Sequence, residues 1–110
     1  MLVLEDKTCP FAEWFDAIKD TKASATIDAR LTRVAVGNLG DHKEVGGGVY
    51  ELRVDLGPGY RVYYAESDQI IVVLLGGGTK KQQQRDIEKA KALWEANKYD
   101  PERLQRDLRP

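Results

Sequence analysis

At 110 residues the chain has the size of one domain, and its 42% apolar and 32% charged residues support a real core and exclude both a disordered tail and a membrane span. Seventeen Lys and Arg stand against eighteen Asp and Glu for a net charge of −1, which excludes bulk attraction to nucleic acid and leaves the placement of the charges as the informative feature. A single Cys9 forms no internal disulfide, and the sole histidine, His42, has no partner at metal-ligand spacing, so neither a metal nor a cofactor is expected.

Charge is distributed unevenly. Residues 1–20 carry five acids against Lys7 and Lys19, whereas residues 79–98 carry six bases against Asp86, Glu88 and Glu95. No apolar run approaches bilayer length, the longest being Ile70 to Leu75, and the N-terminus lacks the basic and apolar regions of a secretory signal. A cytoplasmic location is the expectation.

In chain order, Leu2-Val3-Leu4 suits a short strand, and Thr8 to Pro10 offers a cap and a first-turn proline. Phe11, Trp14, Phe15 and Ile18 follow at i, i+3, i+4 and i+7, the inner face of a first helix packed on a sheet. A second helix is predicted over about 22–36, with Ile27, Leu31 and Val34 inward and Arg30 and Arg33 outward. It ends in the loop residues 37–41. Asp41 to Val45 reads as an edge strand, and Gly46-Gly47-Gly48 as a flexible joint.

The next stretch organises the rest. Tyr50, Leu52, Val54 and Leu56 alternate with Glu51, Arg53 and Asp55; after Gly57-Pro58-Gly59, Tyr60, Val62 and Tyr64 alternate with Arg61 and Tyr63. This period of two describes a hairpin with one dry and one wet face. A three-residue loop sets Leu56 opposite Tyr60, Val54 opposite Val62, Asp55 opposite Arg61 and Arg53 opposite Tyr63, gathering two arginines on the polar face. The all-apolar run at 70–75 suits a central strand covered on both faces, or at least over part of the second. After Gly76-Gly77-Gly78 a third helix is predicted over about 80–97, with Ile87, Ala90 and Trp94 inward. Lys80 and Lys81 in its first turn oppose the helix dipole, which suggests an anionic partner. Asp100-Pro101 stops this helix and opens a last turn on which Leu104 and Leu108 share a face, to dock on the chain's own body, on a second copy or on a partner.

These motifs carry a resemblance. The helical hairpin, the run from Gly37 to Lys43, Tyr50-Glu51-Leu52-Arg53, the run from Gly57 to Tyr64, and Leu75 to Gln83 with Asp86-Ile87 together resemble the RelE/ParE superfamily of type II toxins, in the HigB-like branch known as addiction module killer proteins. The resemblance covers about residues 1–97 of a single domain and leaves 98–110 as an extension. It implies an α+β class and a RelE-like fold: an antiparallel sheet of about four strands with an N-terminal helical hairpin and a C-terminal helix. It further implies a metal-independent mRNA endoribonuclease, commonly ribosome-dependent, that inhibits translation and growth. Its implied partner is a cognate helix-turn-helix antitoxin, through which alone it would reach operator DNA. Arg53, Arg61 and Lys80 occupy the positions of basic active-site residues, with Lys81 adjacent. The C-terminal tyrosine of some relatives falls near Ile87.

The chemistry can also be argued directly. Attack of an RNA 2′-hydroxyl on the neighbouring phosphorus needs a base, an acid for the leaving 5′-oxygen, and positive charge on the phosphorane. Arg53 and Arg61 suit the charge, Lys80 or Lys81 the acid, and His42, Lys43 or Glu51 the base. Tyr63 suits stacking on a nucleobase, and Gln83 joins Glu51 and Tyr63 among the substrate-binding candidates. Each has a structural alternative: Arg61 pairs with Asp55, Arg53 with Glu44 or Glu51, His42 is a surface-strand residue, and the lysines are a solvated helix start. Two other functions stay open, a ParE-like poison of DNA gyrase and a non-catalytic, operon-regulating partner of an antitoxin.

Overall fold

The structure, a computed structural model, describes residues 2–4, 6–66 and 72–104. Alternating side chains build an antiparallel sheet whose strands follow the chain: β1 (His42–Gly46), β2 (Val49–Val54), β3 (Tyr60–Ala65) and β4 (Val73–Thr79), in the spatial order β1-β2-β3-β4. Two helices, α1 (Pro10–Asp16) and α2 (Thr21–Ala35), precede the sheet, and α3 (Gln83–Asn97) follows it after a 3-10 turn at Lys80–Gln82. The class is α+β.

Local chemistry explains the helix boundaries. The Asp20 carboxylate accepts from the backbone N–H groups of Lys22 and Ala23 at 3.0 and 3.2 Å, capping α2, and Ala23, Ile27, Leu31 and Val34 form its buried stripe. Helix α1 starts from Cys9 instead. Thr8, expected as its cap, turns its hydroxyl to Asp6 at 2.6 Å. The helix stops at Asp16, so Ile18 reaches the core from beyond its end.

Helices cover both faces of the sheet. On one, Leu52, Val54, Tyr60, Val62, Tyr64 and Leu74 pack with Phe11 of α1 and the stripe of α2. On the other, Val49, Tyr63, Ala65, Val73 and Leu75 pack with Ala90 and Trp94 of α3. Full burial of a side chain such as Phe11 or Ile27 contributes about 2 kcal/mol. The face expected to be wet is therefore half roofed.

The hairpin register differs by two residues from the expectation. Val54 pairs with Tyr60, Arg53 with Arg61, Leu52 with Val62, and Glu51 with Tyr63. The loop is longer than the glycines suggest, because Leu56 N–H bonds to the Val54 carbonyl and Gly59 N–H to the Leu56 carbonyl, taking Asp55 and Leu56 out of the ladder. A slip of two preserves which face each side chain occupies. It changes only the neighbours.

Gly47 and Gly48, at φ of +63° and +78°, form the two-residue turn of the β1–β2 hairpin rather than a loose joint. Gly76 to Gly78 belong to β4 and pair with Tyr63, Val62 and Arg61. Strand β4 begins at Val73 and lies at the margin of the sheet, not its centre; Ile70 and Ile71 fall outside the described residues. Its inner half is still covered, since Leu2 N–H donates to the Leu74 carbonyl and Leu2 bridges Leu104. The extension thus docks on the chain's own body through Leu104, while Leu108 lies outside the described residues. Among the described residues no helix is long and apolar enough to cross a membrane.

Candidate functional site

Strand geometry sends every second side chain of β2 and β3 to the α3 face, which places Glu51, Arg53, Arg61 and Tyr63 together. Arg53 lies directly opposite Arg61, and Lys43 of β1 directly opposite Glu51. Like charges in such positions repel and need compensating negative charge. The protein supplies part of it. Arg53 Nε donates to Glu51 Oε1 at 2.9 Å, and that bond holds the Arg53 pKa above its ordinary value. Gln83 Nε2 donates to the other oxygen of Glu51 at 2.7 Å.

Arg61 is 5% exposed. Its Nη1 donates to the Tyr60 carbonyl at 3.0 Å and reaches Asp55, which is largely in solvent, at 3.4 Å. Its buried Nε has no partner. An ion pair so stretched and so wet contributes little, which leaves Arg61 a guanidinium with unspent hydrogen-bonding capacity. Lys80 joins it from the end of β4. Its N–H bonds the Gly59 carbonyl at 2.8 Å, and the point where a Gly59 Cβ would sit lies 3.3 Å from Lys80 Cβ and 3.6 Å from Arg61 Nη1. Arg30, predicted to face outward, is half-buried and ties α2 to this region through the Arg53 carbonyl at 2.7 Å and the Leu39 and Asp41 carbonyls.

The expected site is thus assembled in part. Arg53, Arg61, Lys80 and Lys43 share one face, and Lys81 is exposed in the turn beside Lys80. His42 does not join them: it pairs with Leu52, points to the opposite face, and holds its Nδ1 2.9 Å from the Gly40 carbonyl. Nor does Tyr63 stack on anything outside, since it is 1% exposed under α3; burial first, then the carboxylates of Glu51 and Asp86, push its phenol upward from 10. Glu51 is fully buried and cannot touch a substrate, and the Gln83 amide is committed to it. These two orient Arg53.

A cleft of about 510 Å³ opens beside this face, between α1 and α3 and above the glycines of β4. Its walls include Trp14, Tyr63, Gln82, Asp86 and Lys89, but not Arg53, Arg61 or Lys80, so concavity and basic patch are neighbours rather than one site. The glycines make room for it. A Cβ on Gly77 would collide with the Trp14 ring, and one on Gly78 with the Asp86 carboxylate. Burial raises the pKa of Asp86, partly offset by Arg85 and Lys89, and its Oδ2 has no hydrogen-bond partner. Sequence reasoning passed over Asp86 and Trp14 as a site. The available signal was three glycines in a strand, a mark of close approach by other groups.

An uncharacterized protein of Haemophilus influenzae is 45% identical to this chain over 86 residues, which cover 78% of this chain and 87% of the relative. The chain belongs to that protein's family. A match of 86 residues in a chain of 110 contains positions 25–86 wherever it starts, so the family's shared region takes in all four strands and the basic face. No family model and no solved structure matches.

Among the described residues no group of three His, Cys, Asp or Glu is placed to hold a metal ion. What the family member presents instead is fixed positive charge over a buried carboxylate, an arrangement suited to clamping an oxyanion.

Proposed function

We propose that this chain is a RelE/ParE-superfamily toxin of the HigB-like branch, with a RelE-like fold, acting in the cytoplasm as a metal-independent endoribonuclease on mRNA held by the ribosome. The observation that carries this reading is the direct cross-strand pairing of Arg53 with Arg61, with Lys80 beside Arg61 at Gly59. Two arginines at paired cross-strand positions concentrate positive charge on one face, and a phosphodiester bound there relieves their repulsion.

The reaction assigned to this face is attack of a ribose 2′-hydroxyl on the adjacent phosphorus. It forms a 2′,3′-cyclic phosphate and expels the 5′-oxygen as a hydroxyl. Arg61 and Arg53 hold the non-bridging oxygens of the phosphorane, and loss of one such donor costs about 3 kcal/mol, or a hundredfold or more in rate. Lys80 protonates the leaving oxygen. Lys43, exposed on the same face, is assigned to take the hydroxyl proton. A small helix-turn-helix antitoxin is the partner that blocks this face and links the toxin to its operator.

The test is cleavage of mRNA by the purified chain, with and without ribosomes, in chelator. Fragments with 5′-hydroxyl ends, reduced at least a hundredfold in Arg61→Ala, are expected. Growth arrest that survives Arg61→Ala and brings DNA damage instead of cut mRNA would show a gyrase poison, and harmless expression would show a non-catalytic antitoxin partner.

A further inference from the structure

The outer edge of β4 has bonding capacity that the fold does not use. Lys80 N–H bonds the Gly59 carbonyl, and β4 runs antiparallel to β3 with Gly78 opposite Arg61 and Gly76 opposite Tyr63. Bonded and non-bonded positions alternate along such a ladder, so Lys80, Gly78 and Gly76 turn their backbone groups toward β3. Gly77 and Thr79 turn theirs outward. Among the described residues no backbone group meets them there, and the chain's own cover on this edge is Leu2 N–H on the Leu74 carbonyl. Exposed edges pair with further strands unless proline, charge or a covering segment blocks them. This one carries glycines instead. Gly77 and Gly78 make room for Trp14 and Asp86, but nothing lies within 4 Å of the Cβ position of Gly76, so packing within the chain gives no reason for its bare backbone. A glycine inside a strand then marks close approach by a group from outside.

We propose that this edge docks an extended segment of a partner protein as an added strand, one in which acidic side chains alternate with apolar ones. The cleft of about 510 Å³ follows the edge from Leu75 to Gly78 and has a wall on each face of the sheet. From Leu75 to Thr79 the edge runs about 14 Å, the length of a short strand. An added strand sends alternate side chains to the two faces. On the face of Gly77 the wall is Pro10 and Trp14 with Glu13 beside them, which selects an apolar side chain and repels an acid. On the face of Gly76 and Gly78 it is Arg85 and Lys89, both exposed and one turn apart on α3, which select acids and repel bases. Asp86 Oδ2 is buried against Gly78 and does not face the segment. Main-chain bonds to Gly77 and Thr79 hold the strand, and the two walls choose its sequence.

The proposal does not rest on the nuclease reading, since it uses none of Arg53, Arg61 and Lys80 and its test involves no RNA. The full chain is titrated calorimetrically with two end-blocked peptides, one alternating leucine with glutamate and one alternating leucine with lysine. The glutamate peptide is expected to bind at least tenfold more tightly, and the double variant Arg85→Glu, Lys89→Glu to reverse that order while circular dichroism shows it folded. In the unaltered chain, N-methylation of one alternate set of amides in the glutamate peptide is expected to abolish binding, and N-methylation of the other set to leave it. Amide exchange followed by NMR is expected to be fast at Gly77 and Thr79 in the free chain and slowed by the peptide. No saturable binding at millimolar peptide, an unchanged order in the double variant, or equal loss from the two N-methyl sets would each overturn the proposal. So would slow exchange at Gly77 and Thr79 without peptide, which gives the edge to a segment of the chain itself if it persists on dilution and to a second copy if it does not. Cleavage of mRNA without peptide binding would leave the nuclease standing alone, and peptide binding without cleavage would do the reverse.

Discussion

Replacing single glycines of β4 with alanine tests the packing on which both the cleft and the basic face depend. At Gly77 the new methyl would lie 2.5 Å from Trp14 Cδ2 and nearer still to the six-membered ring, whereas ordinary contact begins at 3.4 Å. The indole must withdraw by about 1 Å, and α1, which packs on β4, must move with it. Overpacking on this scale costs about 1–3 kcal/mol, which lowers the melting temperature by roughly 4–12 °C in a domain of this size. At Gly76 nothing lies within 4 Å of the same methyl. Neither position has the positive φ that would strain an alanine, so Gly76→Ala is expected to be neutral or to stabilise by up to about 0.5 kcal/mol through reduced freedom of the unfolded chain. The two variants differ by one step along the strand and by nothing in composition. Thermal unfolding followed by circular dichroism at fixed pH compares them directly, and equal melting temperatures for Gly76→Ala and Gly77→Ala would refute the packing of Trp14 against β4.

Three more outcomes follow from the same geometry. Gln83→Ala removes a 2.7 Å hydrogen bond to the fully buried Glu51 carboxylate and is expected to cost about 2 kcal/mol, read as a lower urea midpoint. Asp86→Asn is expected to stabilise the fold near neutrality. Burial raises the pKa of this carboxyl from 3.8, so its protonated form is favoured in the folded state and stability is lost as pH rises through the folded value; the advantage of the variant should vanish in acid and grow above that range. Tyr64, pushed up to about 12 by burial, and Tyr63, raised further by burial and two carboxylates, should not ionise near 10 in the folded protein. Stability they contribute is present below 10 and is lost as pH rises past it, so absorbance at alkaline pH should show their ionisation only together with unfolding.

The faces of the central hairpin were legible in the sequence because side-chain alternation is a local property. Leu52, Val54, Val62 and Tyr64 lie on the dry side as their spacing requires. The register was not legible, because Gly57-Pro58-Gly59 looks like a complete loop while the residues that leave the ladder, Asp55 and Leu56, look like strand. The two-residue error kept both arginines on one face and hid the fact that they oppose each other. Helix boundaries were read within a turn at α2 and α3, where buried stripes are explicit. The glycines of β4 read in the sequence only as the break before a third helix, and the close approach of Trp14 and Asp86 from α1 and α3 is what explains a strand without side chains there. His42 failed as a base because its face is set by one-residue parity against Leu52, which sequence alone could not assign for a short edge strand.

Buried polar atoms left without partners are not spread evenly over this molecule. Of the four among the described residues, Arg61 Nε, Tyr63 Oη and Asp86 Oδ2 lie on the α3 side of β3 and β4, and Tyr64 Oη lies on the other. A cost of about 1–3 kcal/mol at each of three neighbouring atoms is large against the 5–15 kcal/mol by which a domain is stable. Apolar replacements would remove that cost, and the glycine floor shows that the sequence accommodates close packing where packing is what matters. The fold instead keeps a guanidinium, a phenol and a carboxylate unsaturated within two paired strands and the first turn of one helix. Their clustering beside the basic face, and not in the core under α2, is what the α3 side of the sheet adds to the packing.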